Sequence, residues 1–162
     1  MMTIHFEKGD ATSSFVCEDY IAAKVVLGEN PEDCRHVVFE YSDTDALEFG
    51  LDHESGQIKK VVLVLCNHFC ISQKPVNAPS APNGKLFLEA PRVNICDHFE
   101  TVIHPDGAHI ILSTNNAKTL VACGSVVVGI NDCKNIAELY FKDLSKEEVE
   151  HIKRELDFDL KS

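Results

Sequence analysis

Residues 46–69 read ALEFGLDHESGQIKKVVLVLCNHF, and this stretch decides what kind of fold the chain adopts. Its first half alternates. Leu47, Phe49 and Leu51 fall on one side of an extended backbone, and Glu48, Gly50 and Asp52 on the other. Successive strand residues point to opposite faces, so 46–53 is expected to be a half-buried strand with one wet face. From Lys60 onward the second half is apolar at every position to Leu65, the pattern of a strand covered on both faces and therefore central in its sheet. The polar ESGQ between them carries turn chemistry, which predicts an antiparallel hairpin turning near Ser55–Gly56.

Working outward from this hairpin, short apolar or alternating runs predict strands at 3–7, 19–27, 35–41, 86–90, 92–98 and 136–141. A second hairpin is expected over 99–113, with Pro105, Asp106 and Gly107 at its turn. Residues 119–130 read as one strand in which Gly124 and Gly129 mark a bulge or bend. Residues 29–34 suggest a loop or a single helical turn. Residues 71–85 hold three prolines and little that could pack, and so predict one long loop, either disordered or functional, in the latter case a wall or lid for a pocket. Only the C-terminus has a helical signature. Ser145 with Glu148 three residues later is a capping box, Val149, Ile152 and Leu156 recur on one face, and Glu150 and Arg154 form an i, i+4 pair. Without an alternation of strands and helices, a parallel α/β sheet is excluded. The expected architecture is a single α+β domain over 1–162, mainly antiparallel: a curved sheet of about eight to ten strands with one C-terminal helix packed on it.

Composition bounds the function classes. A hydrophobic content of 44% and a charged content of 25% describe a globular chain long enough to bury a core without staples. No segment has the length and purity of a membrane span, and MMTIHFEKGD lacks the basic and apolar regions of a secretory signal. The seven cysteines are irregularly spaced, without a CxxC pair, which points to reduced thiols in a cytoplasmic protein. The net charge of −11 is concentrated in residues 1–50, with eleven acids against three bases. Such a field repels nucleic acid and anionic membranes and attracts a basic partner.

Chemical motifs are sparse. Phosphate-binding glycine loops, HExxH and GxSxG are absent, and no cofactor is expected. CNHFC (66–70) and CDHFE (96–100) are the exception. Cys66 and His68 share one face of a strand, as do Cys96 and His98, and if the two segments were neighbours in register the four side chains would suit zinc or a thiol–imidazole pair. The alternative is that both segments are strand ends whose cysteines fill core positions. A second cluster, Asp43, Asp45, Glu48, Asp52 and Glu54, lies on and around the wet face of the first hairpin strand and is the candidate partner-binding set.

The stretch LEFGLDHESGQIKKVVLVLCNHF (47–69), with its D-x-x-x-G-x-I turn, together with the small acidic character of the chain, resembles the immunity proteins of bacterial contact-dependent growth inhibition and related polymorphic toxin systems. The resemblance implies a cytoplasmic protein without an active site that binds and neutralises a cognate toxin domain, often a basic nuclease. In one group of the family the toxin adds a hairpin to the immunity protein's sheet, by β-augmentation. No residue roles carry over. A small metalloprotein or enzyme built on Cys66, His68, Cys96 and His98 stands as the alternative, and a generic intracellular interaction module as the third reading.

Overall fold

A computed structural model describes residues 2–28 and 33–161; most of the loop or helical turn expected at 29–34 lies outside the described residues. The fold is α+β. Fourteen strands form three sheets, and one C-terminal helix packs on them. They are β1 (Thr3–Lys8), β2 (Ser13–Phe15), β3 (Ala23–Leu27), β4 (Arg35–Tyr41), β5 (Asp45–Leu51), β6 (Ile58–Leu65), β7 (Phe69–Ile71), β8 (Gly84–Glu89), β9 (Val93–Ile95), β10 (Glu100–His104), β11 (Gly107–Ile111), β12 (Ala117–Cys123), β13 (Val126–Asn131) and β14 (Ile136–Phe141), followed by α1 (Lys146–Lys161).

One six-stranded sheet has the order β2-β3-β6-β5-β4-β9, the other β12-β13-β14-β11-β10-β7, and β1 pairs with β8 as a separate ribbon. All pairings are antiparallel except β4–β9 and β7–β10. The deciding hairpin is β5–β6, and β6 is central, between β3 and β5. Its turn is built by Asp52, whose carboxylate accepts from the Glu54 and Ser55 amides and the Ser55 hydroxyl, while Gly56 takes a φ of 76°. A side chain there would be strained and would press on the Leu88 carbonyl at 2.9 Å.

The inner faces of both large sheets share one core. Phe39, Leu47, Phe49 and Leu63 from the first meet Ile103, Ile110, Val128, Leu139 and Phe141 from the second, with Leu86 and Leu88 of the ribbon. Each such side chain contributes about 1.5–3 kcal/mol of burial, so a core of this breadth offsets the chain entropy without disulfides, and all seven cysteines are free thiols. The helix starts at the expected capping box: Ser145 Oγ accepts from the Glu148 amide at 3.1 Å, and Glu148 Oε1 accepts from the Ser145 amide at 2.9 Å. Val149, Ile152 and Leu156 are buried as expected. His151 and Glu155 are buried with them: His151 Nε2 donates to the Ile21 carbonyl at 2.9 Å, and Glu155 accepts from the Tyr20 amide at 3.1 Å, tying α1 to the β2–β3 connection.

Several expectations are corrected. Among the described residues two six-stranded sheets and a ribbon replace one curved sheet of eight to ten strands, because which strands share a sheet is set by pairings between segments distant in the chain, which local pattern does not carry. Residues 119–130 are a hairpin, not one strand, since Gly124 (φ 63°) turns the chain and Cys123 pairs with Val126. Gly129 does adjoin a bulge, and the missing side chain leaves room for Glu138 on β14. The β5 face opposite Leu47 is not wet: β4 and β6 flank it, Ala46 and Gly50 are buried, and the Lys60 stem lies over Gly50. Glu150 pairs with Lys153 at 3.7 Å, and Arg154 turns to His151 and Glu155. The proline-rich stretch is a strap, not a lid. Val76 is buried against Ala122, Val127 and Tyr140, and its amide donates to Asp106 Oδ1 at 2.8 Å.

Candidate functional site

The first large sheet ends at β9, and β9 leaves backbone groups unpaired. In a parallel ladder alternate residues bond to the neighbouring strand. Arg92 O accepts from the Val38 amide and the Cys96 amide donates to Glu40 O, both at 2.8 Å, so residues 92, 94 and 96 face β4. The N–H and C=O of Val93 and Ile95 therefore face away from the sheet, and their side chains are 50% and 74% exposed. Two β-branched residues on a bare edge form a template for an added strand.

The register places acids beside this edge. Val93, Val38, Glu48, Val62 and Lys24 make one row across the outer face of the sheet; Ile95, Glu40, Ala46 and Leu65 make the next. Glu40 and Glu48 stand beside the half-buried Val38, the buried Val62 and the exposed Val93 and Ile95, while Lys24 is neutralised by Glu18 at 3.1 Å. Glu48 lies 3.8 Å from His36. Asp97 follows the edge, and a hydrogen bond from the Thr114 hydroxyl holds its carboxyl below the ordinary aspartate value.

The sequence-derived acidic set is not one cluster. Asp43 and Asp52 sit in the turns at opposite ends of β5, about 30 Å apart along an extended strand. Glu54 is exposed beside Asp52, and Glu48 lies between the ends. Asp45 leaves the surface altogether: its side chain is 0% exposed. Its carboxylate accepts from the amides of Asn67 (2.8 Å) and His68 (3.0 Å), from the Thr44 hydroxyl (2.8 Å), and from His68 Nδ1 (2.5 Å). Burial pushes this carboxyl up, but the hydrogen bonds from His68, Thr44 and Asn67 outweigh it and leave the pKa below the ordinary aspartate value. Strand alternation puts Asp45 on the same face as Leu47, Phe49 and Leu51, a signal that grouping it with the surface acids passes over; the polar turn CNH, whose amides need an acceptor at the end of a buried strand, points the same way.

His68 is held with Nδ1–H toward Asp45 and its ring edge-on to Tyr41, 5.9 Å between centroids. Its Nε2 is left free to act as an oriented acceptor. Among the described residues its only polar side-chain contact is Asp45, so the pair is a base and its orienter without a nucleophile.

CNHFC and CDHFE are the two places where the chain passes from one large sheet to the other: β6 to β7 through 66–68, and β9 to β10 through 96–99. They meet at one end, where β7 and β10 pair and the Thr101 amide donates to His68 O at 2.9 Å, but β6 and β9 are separated by two strands. Cys66 is buried, and burial pushes the Cys96 thiol up to about 12. Among the described residues no three His, Cys, Asp or Glu side chains are grouped to hold a metal, so the zinc constellation of Cys66, His68, Cys96 and His98 does not assemble. On the β10–β11 hairpin His109 lies opposite Val102 and stacks on Tyr140 at 4.0 Å.

A second bare edge exists. Thr101 and Ile103 hold β7 through His68 O and the Ser72 amide, leaving Phe69 and Ile71 facing outward along a 510 Å³ groove against α1. That groove is lined by Lys153 and Arg154 as well as Glu150 and Asp157, so its charge does not single out a basic partner, and Arg92 and Arg35 likewise stand beside the acids near β9. No helix among the described residues is long and apolar enough to cross a membrane. The chain matches no protein-family model and no curated protein.

Proposed function

We propose that this chain is a non-catalytic immunity protein that binds a cognate toxin domain in the cytoplasm and neutralises it, the toxin being a basic domain of the nuclease type. The observation that carries the reading is the β9 edge. It combines unpaired backbone groups, two exposed β-branched side chains and neighbouring acids in a protein of net charge −11. Main-chain hydrogen bonds to an added strand supply affinity, and the acids raise the encounter rate with a phosphate-binding surface. A basic nuclease held in this way has its nucleic-acid face covered by carboxylates.

The test is capture and rescue. The gene's neighbours are searched for a large secreted protein, the C-terminal domain of any such protein is co-expressed with the chain, and growth and complex formation are measured. Neutralisation with a salt-sensitive on-rate supports the proposal. Glu40→Lys with Glu48→Lys then slows association about tenfold at low salt. A toxin that is neither bound nor neutralised, or an on-rate indifferent to salt and to both reversals, overturns it.

A further inference from the structure

Behind the β9 edge lies an open cleft of about 530 Å³, between β9 and the loops that end β11 and begin β14. Its floor is apolar, formed by Phe39, Leu112 and Ile136, and its walls carry Asn94, Asn115 and Asp97. The amides are not free to act as donors. Asn94 Nδ2 donates to the Pro91 carbonyl at 2.9 Å and the Val38 carbonyl at 3.4 Å. Asn115 Nδ2 donates to Asp132 Oδ1 at 2.9 Å. Their carbonyl oxygens hold no hydrogen bond among the described residues. Asp97 uses Oδ2 for the Thr114 hydroxyl and keeps Oδ1. The buried Asn131 fixes one wall by accepting from the Cys133 and Asn135 amides at 3.0 and 3.1 Å.

The cleft therefore presents acceptors over an apolar floor, and no lysine or arginine is among its described lining residues. Asp97 is the one charged side chain among its described lining residues, so the cleft favours a cation over an anion, and Ser113 and Asn135 complete its polar wall. A cation with several N–H groups on a flexible apolar stem matches both parts. A guanidinium offers five donors in a planar fork, sheds its hydration more readily than an ammonium, and can span several acceptors at once. We propose that this cleft is the specificity pocket for an arginine side chain projecting from the strand that pairs with β9. The methylene stem lies on Phe39, Leu112 and Ile136, and the head group bonds to Asn94, Asn115 and Asp97. The assignment rests on the strand-addition reading above and names the residue that reading lacks.

The probe is the blocked peptide acetyl-Val-Arg-Val-amide, with the citrulline peptide as its uncharged isostere, titrated into the whole protein and followed by the side-chain amide NMR signals. Saturable shifts at Asn94 and Asn115 are expected, with the citrulline peptide about tenfold weaker because charge-assisted bonds are roughly twice as strong. Asp97→Asn weakens the arginine peptide by a similar factor and leaves the citrulline peptide unchanged; the residue is exposed, and a thermal melt verifies that the variant is folded. Equal binding of the two peptides, or shifts dispersed over Asp43 and the β5–β6 turn instead of the cleft, overturns the proposal. Failure of toxin neutralisation with the arginine titration intact sinks the immunity reading alone.

Discussion

Replacing Asp45 with alanine removes the acceptor at the point where the chain first leaves one sheet for the other. Four donors converge on this carboxylate, two of them backbone amides that lose their acceptor once it is gone. A hydrogen bond to a buried charge contributes about 1.5–3 kcal/mol, and an orphaned buried donor costs about 1–3 kcal/mol. Part of this is offset because the carboxylate's own desolvation cost disappears. The expected loss is about 3 kcal/mol at neutral pH, read as a fall in the urea midpoint with unchanged slope. The pH dependence gives a second, sharper reading. The folded pKa of Asp45 lies below its unfolded value, so its contribution is fully present above the ordinary aspartate range and is lost as pH falls through the folded pKa. The gap between wild type and Asp45→Ala must therefore be widest near neutrality and narrow in acid, below the ordinary carboxylate range. A gap under 1 kcal/mol, or one that stays constant into acid, would refute the claim that this carboxylate organises the crossing.

Three further outcomes follow from the same kind of reasoning. Thr101 is 0% exposed and its hydroxyl has no partner among the described residues, so Thr101→Val should raise stability by about 1 kcal/mol in denaturant titration. Thiol labelling of the native protein should proceed quickly at the exposed Cys17, Cys70 and Cys133. It should lag at Cys34, Cys96 and Cys123, whose thiols burial pushes up, to about 12 for Cys96 and about 11 for Cys123, leaving almost no thiolate at pH 8. Gly107→Ala puts a methyl group 2.1 Å from the Phe141 carbonyl oxygen, a collision with backbone, and should cost more than about 2 kcal/mol and lower the thermal midpoint by several degrees.

The legible parts of the fold are those where local pattern and tertiary role agree. The β4 and β14 spans match their sequence runs residue for residue, and the capping box of α1 forms as read, because β-branched density and a Ser-x-x-Glu spacing act locally. The wet face expected on β5 fails for the opposite reason: what covers Glu48 and Gly50 comes from β4 and β6, and neighbours in space are not neighbours in the chain. The same limit hid the site. Asp45 has the parity of Leu47 and so points inward, but nothing beside it in sequence announces the CNH amides twenty-two residues on. The β9 edge was unreadable because three residues cannot show that their outward groups lack a partner; only the strand order does.

The likeness of CNHFC and CDHFE can be given a physical cause. Each segment carries the chain out of one sheet and into the other, and each must do three things in four or five residues. It must keep a small apolar residue near the core, expose a polar pair at the bend, and deliver an aromatic residue to the new sheet. Cys66 and Phe99 are buried, Asn67 and Asp97 are exposed, and Phe69 begins β7 while Phe99 leads into β10. Both crossings then feed a parallel pairing, which is why β7 and β10 lie side by side and why both large sheets finish in a short parallel strand. Antiparallel neighbours would use up their outer groups in hairpins. β7, which one crossing delivers, and β9, from which the other departs, both lie at sheet edges and leave those groups open. The repeated Cys-x-His motif therefore marks, through the architecture around it and not through its ligands, the two sheet edges whose outer backbone groups stay open.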